Sequence, residues 1–177
     1  VAIHENKVVA PLGIFYNQKY NIVILHAITA ATHYEWDMAD AVSKLAAELK
    51  AKEIISLEGV GSGEDSEGGR VFHYSNNEKN SKIFEKNGIE ALKEGIIIGV
   101  TGAILLRVEK LPLSCLFAET HSNFPDSKAA AKIIEALDKY IGMELDYKPL
   151  LEQAQKFEEK LKPILQKSQE AQEISDK

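Results

Sequence analysis

The chain has 177 residues, enough for one domain and a little more at about 150 residues per domain, and enough to bury a core without disulfides or metal. Hydrophobic residues make up 45% and charged residues 27%, which excludes collagen-like, mucin-like and disordered classes. The net charge of −6 argues against a general binder of nucleic-acid backbones, and the lone Cys115 excludes an internal disulfide or a thiolate-rich zinc site.

The first residues carry no basic-then-apolar stretch, so a cytoplasmic address is expected. The first third reads as β: Lys7 to Ala10, Gly13 to Tyr16 and Ile22 to Leu25 are short runs rich in branched and aromatic side chains. The polar stretch Asn17 to Asn21 joins the last two as a hairpin connection. From Met38 the period changes to three and four, through Ala41, Val42, Leu45, Ala46 and Leu49, which predicts a helix capped by Thr32 or Asp37.

Alternation follows. Glu53 to Leu57 reads as a strand, Gly59 to Gly69 as a glycine-rich loop, Val71 to Tyr74 as a strand, and Asn77 to Asn87 as a helix that Gly88 ends. Gly95 to Thr101 is a near-continuous apolar run, expected as a buried strand, with a helix from Ala103 to Leu111 closed by Pro112. Leu113 to Glu119 is another buried strand, His121 to Pro125 a loop, and Asp126 to Ile141 a helix with Asp126 or Ser127 at its cap. Repeated strand–loop–helix units predict an α/β fold with a mostly parallel sheet in residues 1–142. Residues 143–177 form an expected helical extension, with Leu151, Ala154, Phe157, Leu161 and Leu165 on an apolar stripe that needs a partner surface. Pro163 is expected to kink or end it. No run approaches the ~20 apolar residues of a membrane span.

The candidates for chemistry are sparse. Gly59-Val60-Gly61-Ser62-Gly63 follows a strand, but Glu64, Asp65 and Glu67 come next where a phosphate loop needs a helix N-terminus. His33-Tyr34-Glu35 resembles half of a zinc-deaminase signature, yet no paired thiols complete it. Glu58 and Glu119 each end a predicted strand. With Gly59, Gly61, Gly63, Thr101, Gly102, Thr120 and His121 they outline a candidate pocket at the sheet edge where α/β folds bind ligands. The plainer alternative is polar capping of strand ends. Cys115 lies in a buried strand pattern without a basic neighbour, which fits a structural thiol. His26 and His73 fit half-buried structural positions. No catalytic residue, cofactor or metal site is expected.

Three segments in this order resemble the proteasome assembly chaperone 2 family, in its archaeal form. They are His33-Tyr34-Glu35 leading to Lys52–Gly63, Gly99-Val100-Thr101-Gly102-Ala103, and Leu116-Phe117-Ala118-Glu119-Thr120 followed by Pro125–Ala131. Leu145-Asp146 and Pro149–Ala154 continue the likeness, which covers nearly the whole chain. It implies a three-layer α/β/α sandwich similar to nucleoside phosphorylases, with a mostly parallel mixed sheet. It also implies homo-oligomers and a role in assembling proteasome α-subunits; the acidic net charge and the lack of a long apolar run, for their part, lead to no nucleic-acid or membrane partner being expected.

Archaeal members are also grouped with ATP-grasp enzymes, but this sequence has no lysine-bearing phosphate loop and no acidic magnesium motif. The family's opening strand, glycine-rich turn and first helix have no counterpart ahead of Val1, so a truncation or a misassigned start is expected. The chain ends Ile174-Ser175-Asp176-Lys177 and not in the hydrophobic-Tyr-X tail of some proteasome-binding members. The leading expectation is a non-catalytic oligomeric assembly factor that self-associates through Leu151, Ala154, Phe157, Leu161 and Leu165. The alternative is a protein or enzyme for a nucleoside or nucleotide at the Glu58, Thr101 and Glu119 edge.

Overall fold

The computed structural model describes residues 2–4, 6–28, 31–61, 69–120 and 126–146, and beyond these 148, 151, 152, 155, 156, 159–161 and 163. The chain divides into two compact units, residues 1–50 with 97–108 and residues 51–96 with 109–177.

In the first unit two hairpins precede a helical pair. β1 (Ala2–His4) pairs antiparallel with β2 (Lys7–Val9), and β3 (Leu12–Asn17) with β4 (Ile22–Ala27). The second ladder runs from Leu12 opposite Ala27 to Asn17 opposite Ile22. Its connection turns because the Asn17 side chain accepts the Tyr20 amide at 3.2 Å and Asn21 takes a left-handed φ of 52°, which asparagine tolerates.

Helix α1 (Glu35–Glu48) begins earlier than Met38, with Tyr34 at its N-cap and no side chain capping it. Thr32 and Asp37 therefore do not cap the helix. Glu35 and Asp37 lie in its first turn instead, where the helix dipole favours negative charge. The buried face centres on Ala39 and Ala46, while Ala41 and Leu49 of the expected stripe are exposed. α1 packs against α3 (Gly99–Arg107). Arg107 links the two, with Nε 3.4 Å from Asp40 and the guanidinium 5.1 Å from the Trp36 ring.

The run Gly95–Thr101 corrects an expectation. It forms no strand, Ile96 and Ile98 are exposed, and α3 already starts at Gly99. An uninterrupted apolar run has no period, so it does not distinguish a buried strand from a helix; the burial of Thr101, Ile104 and Val108 at helical spacing does.

The second unit is organised by β8 (Leu113–Thr120), buried from Leu113 through Glu119. β5 (Ile54–Gly61) runs parallel to it on one side and β6 (Val71–Ser75) antiparallel on the other. The short β7 (Glu90–Ala91) adds parallel to β6, giving the order β5-β8-β6-β7. The result is a mixed α/β unit with a mostly parallel four-stranded sheet. α2 (Glu78–Lys86) and α4 (Ser127–Ile141) pack on this sheet.

Their boundaries follow the sequence signals. Asn77 accepts the amides of Lys79 and Asn80 at 3.0 and 3.3 Å, and Gly88 leaves α2 with φ +77°. Asp126 accepts the Ala129 amide at 2.9 Å, and Gly142 ends α4 in the left-handed region.

Leu116 and Ala118 of β8 meet Phe84, Ile89, Ala129, Ile133 and Ala136 in the core. The Phe84 ring stacks between His73 at 4.9 Å and Tyr140 at 4.0 Å. His73 is fully buried, with Nδ1 2.9 Å from the Ile89 carbonyl and Nε2 3.0 Å from Ser81 Oγ. A carbonyl only accepts, so Nδ1 carries a proton and donates it to Ile89.

Of the expected apolar tail stripe, Leu151 and Leu161 are half-buried, and Ala154, Phe157 and Leu165 lie outside the described residues. Among the described residues, no helix is long and apolar enough to cross a membrane.

Candidate functional site

The expected pocket residues of the second unit lie where β5 and β8 end. A strand sends successive side chains to opposite faces, and this separates them. Glu58 is in register with Phe117, and Val60 with Glu119, so both carboxylates share one face. Gly59 and Thr120 lie on the other, with Leu116 and Ala118. Gly59 and Gly61 are paired strand residues opposite Ala118 and Thr120, not members of a loop. The ladder persists because β8 continues through Thr120, whose hydroxyl donates to the Val60 carbonyl at 3.3 Å. A Cβ on Gly59 would meet the Thr120 methyl at 2.9 Å, so glycine here serves strand packing. Gly63 lies outside the described residues, as does His121.

Glu119 is 5% exposed, and its carboxylate is engaged by Arg70. Oε2 accepts the Arg70 amide at 2.9 Å, and Oε1 accepts Nη2 at 2.9 Å, with Nε 3.2 Å from both oxygens. The Glu119 amide donates back to the Arg70 carbonyl at 2.9 Å. A charged, two-pronged acceptor thus anchors the residue that leads into β6. Gly69 makes the approach with φ +46°, where a Cβ would come within 3.3 Å of the Glu119 carbonyl. The arrangement is that of a strand-end clamp.

Glu58 is half-buried on the same face as Cys115. Burial, with a smaller contribution from the Glu58 charge, pushes the Cys115 thiol up to about 12. That is the opposite of what a nucleophilic cysteine needs.

Thr101 and Gly102 belong to the other unit, in the opening turn of α3, not at a strand end. A Cβ on Gly102 would stand 2.7 Å from the Ile97 carbonyl, so this glycine admits its own chain rather than a ligand.

The sequence did not reveal the most developed polar cluster, which lies at the opposite end of the parallel pair. Glu53, just ahead of β5, accepts the Ser114 hydroxyl and the Asn80 amide nitrogen (2.8 Å) at Oε1, and the Tyr140 phenol (2.8 Å) at Oε2. Ser75 Oγ lies 2.9 Å from Ser114 Oγ. Burial first, and Glu53 second, push the Tyr140 phenol up, so it remains a donor. One carboxylate therefore ties β8, α2 and α4 together. The only sequence signals were a glutamate before an apolar strand and a tyrosine late in an apolar helix stripe.

A shallow cleft of about 260 Å³ lies by Gly69, Arg70, Gly88, Lys132, Glu135 and Lys139. Its two lysines share one carboxylate: Glu135 accepts Lys139 at 2.8 Å and faces Lys132 at 3.8 Å. The Lys139 hydrogen bond, more than any other contact, holds the Glu135 carboxyl below its usual range. Among the described residues, no group of three His, Cys, Asp or Glu side chains is placed to hold a metal ion.

Comparison with known proteins places these features in context. The chain aligns with 26% identity over 129 residues to the uncharacterized protein MJ0106 of Methanocaldococcus jannaschii, covering 72% of this chain and 52% of that one. It therefore spans about half the length of that relative. The crystal structure of Pyrococcus furiosus PbaA, an archaeal homolog of proteasome-assembly chaperone, matches with a TM-score of 0.80 and 29% identity, over 97% of this chain and 76% of PbaA. A Thermoplasma acidophilum protein of unknown function matches with a TM-score of 0.77 and 25% identity, over 97% and 72% of the two chains. Pyrococcus furiosus PbaB, an archaeal proteasome activator, shares the fold with a TM-score of 0.72 and 22% identity, over 92% and 75%. The PAC2 family pattern matches residues 1–165, and the chain belongs to the PAC2 family.

Proposed function

We propose that this chain is a non-catalytic assembly chaperone that binds proteasome α-subunits and releases them as stronger subunit contacts form. The observation that carries this is the likeness to PbaA over 97% of the chain at 29% identity. The chemistry of the described site is consistent with it. Glu119 is committed to Arg70, the Cys115 thiol is raised and buried, and Glu53 serves as a tie between helices and sheet. A chaperone of this kind works by differential affinity: it holds one arrangement of a partner and loses it when the partner gains better contacts.

Co-purification tests the proposal. A tagged full chain, co-expressed with proteasome α-subunits, is expected to retain them before ring completion and not afterwards. Soluble α-subunits that pass a saturated column unretained would remove the proposal.

A further inference from the structure

We infer that the outer edge of β5 is a strand-docking site, which takes up an extended segment of a protein partner as a further strand of the sheet. The Ile54 amide donates to the Pro112 carbonyl at 2.9 Å, and this fixes the phase of the ladder. In a parallel pair alternate residues turn their backbone groups to the neighbouring strand, and the others turn away. Ile54, Ser56, Glu58 and Val60 therefore bond to β8, while Ile55, Leu57, Gly59 and Gly61 present amide and carbonyl outward. β5 stands at the end of the order β5-β8-β6-β7. Among the described residues no strand pairs with its outer side, and none of the four outward residues has a hydrogen bond there. Edge strands are ordinarily guarded by proline, lysine, a bulge or shortness. Residues 54–61 contain no Pro, Lys or Arg, and the ladder from Ile54–Leu113 to Gly61–Thr120 runs without a bulge.

Backbone geometry and charge select the occupant. Donors and acceptors at every second residue are matched by another extended backbone, which is the chemistry of strand addition. A second copy of β5 fits poorly. Paired antiparallel about a two-fold axis, the register that uses all four outward residues sets Ile55 against Gly61, Leu57 against Gly59, and Glu58 directly against Glu58 of the other copy. Like charges directly opposite are destabilising. A different chain can set a neutral or basic residue beside Glu58. Gly61 leaves room for its side chains, since a Cβ there would meet nothing within 4 Å. The partner's identity, a proteasome α-subunit, rests on the proposed function; the unpaired edge does not. Differential affinity then acts through the backbone, and the segment leaves β5 when the partner gains better contacts in its ring.

Retention of free α-subunits by the tagged full chain, with amide hydrogen exchange on the complex, tests it. Leu57→Pro removes one outward amide, keeps the bonds to β8, and puts a ring where the incoming strand must lie. It is expected to bind α-subunits at least about 10-fold more weakly than the wild type. Ile96→Ser, at a 92% exposed apolar position outside the edge, is expected to bind like the wild type. In the wild-type complex the amides of Ile55, Leu57, Gly59 and Gly61 are expected to gain protection, while those of Ser56, Glu58 and Val60, already bonded to β8, change little. A folded Leu57→Pro chain that retains α-subunits as well as the wild type would overturn the inference and leave the proposed function standing. A wild type that retains none would remove both. Unchanged exchange at the four outward amides in the complex would also overturn the inference, and it decides the matter if Leu57→Pro fails to fold. Protection of the same four amides in the concentrated chain alone would assign the edge to a second copy and overturn it too.

Discussion

Replacing Glu53 with alanine removes the acceptor shared by Ser114, Asn80 and Tyr140. The three donors do not lose equally. Ser114 is fully buried, but its hydroxyl can turn to Ser75 Oγ at 2.9 Å. Asn80 and Tyr140 are half-buried and partly regain water. With bonds to a charged acceptor worth about 1.5–3 kcal/mol and this rehydration deducted, the expected loss is about 2–3 kcal/mol. Tyr140→Phe keeps the stack on Phe84 and removes one donor, for an expected loss of about 1 kcal/mol. Urea unfolding followed by circular dichroism is the assay, and the midpoint is expected to fall with an unchanged slope. The pH dependence is a second check. The folded phenol holds its proton to higher pH than the unfolded one, so its contribution is complete below the usual value of 10.0 and is lost as pH rises toward the folded value. Tyr140→Phe is expected to lose less stability over that range than the wild type. A Glu53→Ala variant within about 0.5 kcal/mol of the wild type would refute the claim that this carboxylate ties the helices to the sheet.

Other consequences follow from single distances and environments. Gly102→Ala places a Cβ 2.7 Å from the Ile97 carbonyl and is expected to cost about 1–3 kcal/mol, whereas a Cβ on Gly61 meets nothing within 4 Å and Gly61→Ala is expected to be nearly neutral; thermal melts compare the two. Cys115 is expected to resist thiol reagents in the folded state and to react only at the rate of unfolding. Its raised thiol contributes stability that is complete below 9.0 and lost as pH rises toward about 12, so Cys115→Ala is expected to flatten the stability curve there. A panel of nucleosides and ATP is expected to leave the melting temperature unchanged, and a reproducible rise would revive the small-ligand reading.

Elements with caps and a clear period were legible in the sequence. Asn77 and Gly88 bracketed α2, Asp126 and Gly142 bracketed α4, and the apolar run from Leu113 marked the central strand. Gly95–Thr101 was misread because a run without polar breaks carries no period, and the neighbours that decide its form lie far away in sequence. The candidate pocket residues divide for a different reason. Glu58, Gly59, Glu119 and Thr120 were correctly placed near strand ends, but the two-residue period sends Glu58 and Glu119 to one face and Gly59 and Thr120 to the other. The partner of Glu119, Arg70, is 49 residues away and announced itself by no motif. The Glu53 cluster was invisible for the same reason, since its members meet only through the strand register and the docking of α2 and α4. Both hairpin strands were foreseen; their exposure was not, because an apolar strand is expected to be covered.

Native mass spectrometry of the purified chain mixed with free proteasome α-subunits tests the central claim most directly. The expected result is a discrete complex of the two proteins that disappears as complete α-rings accumulate. Rings that form at the same rate with and without the chain, and no mass corresponding to a joint complex, would contradict it.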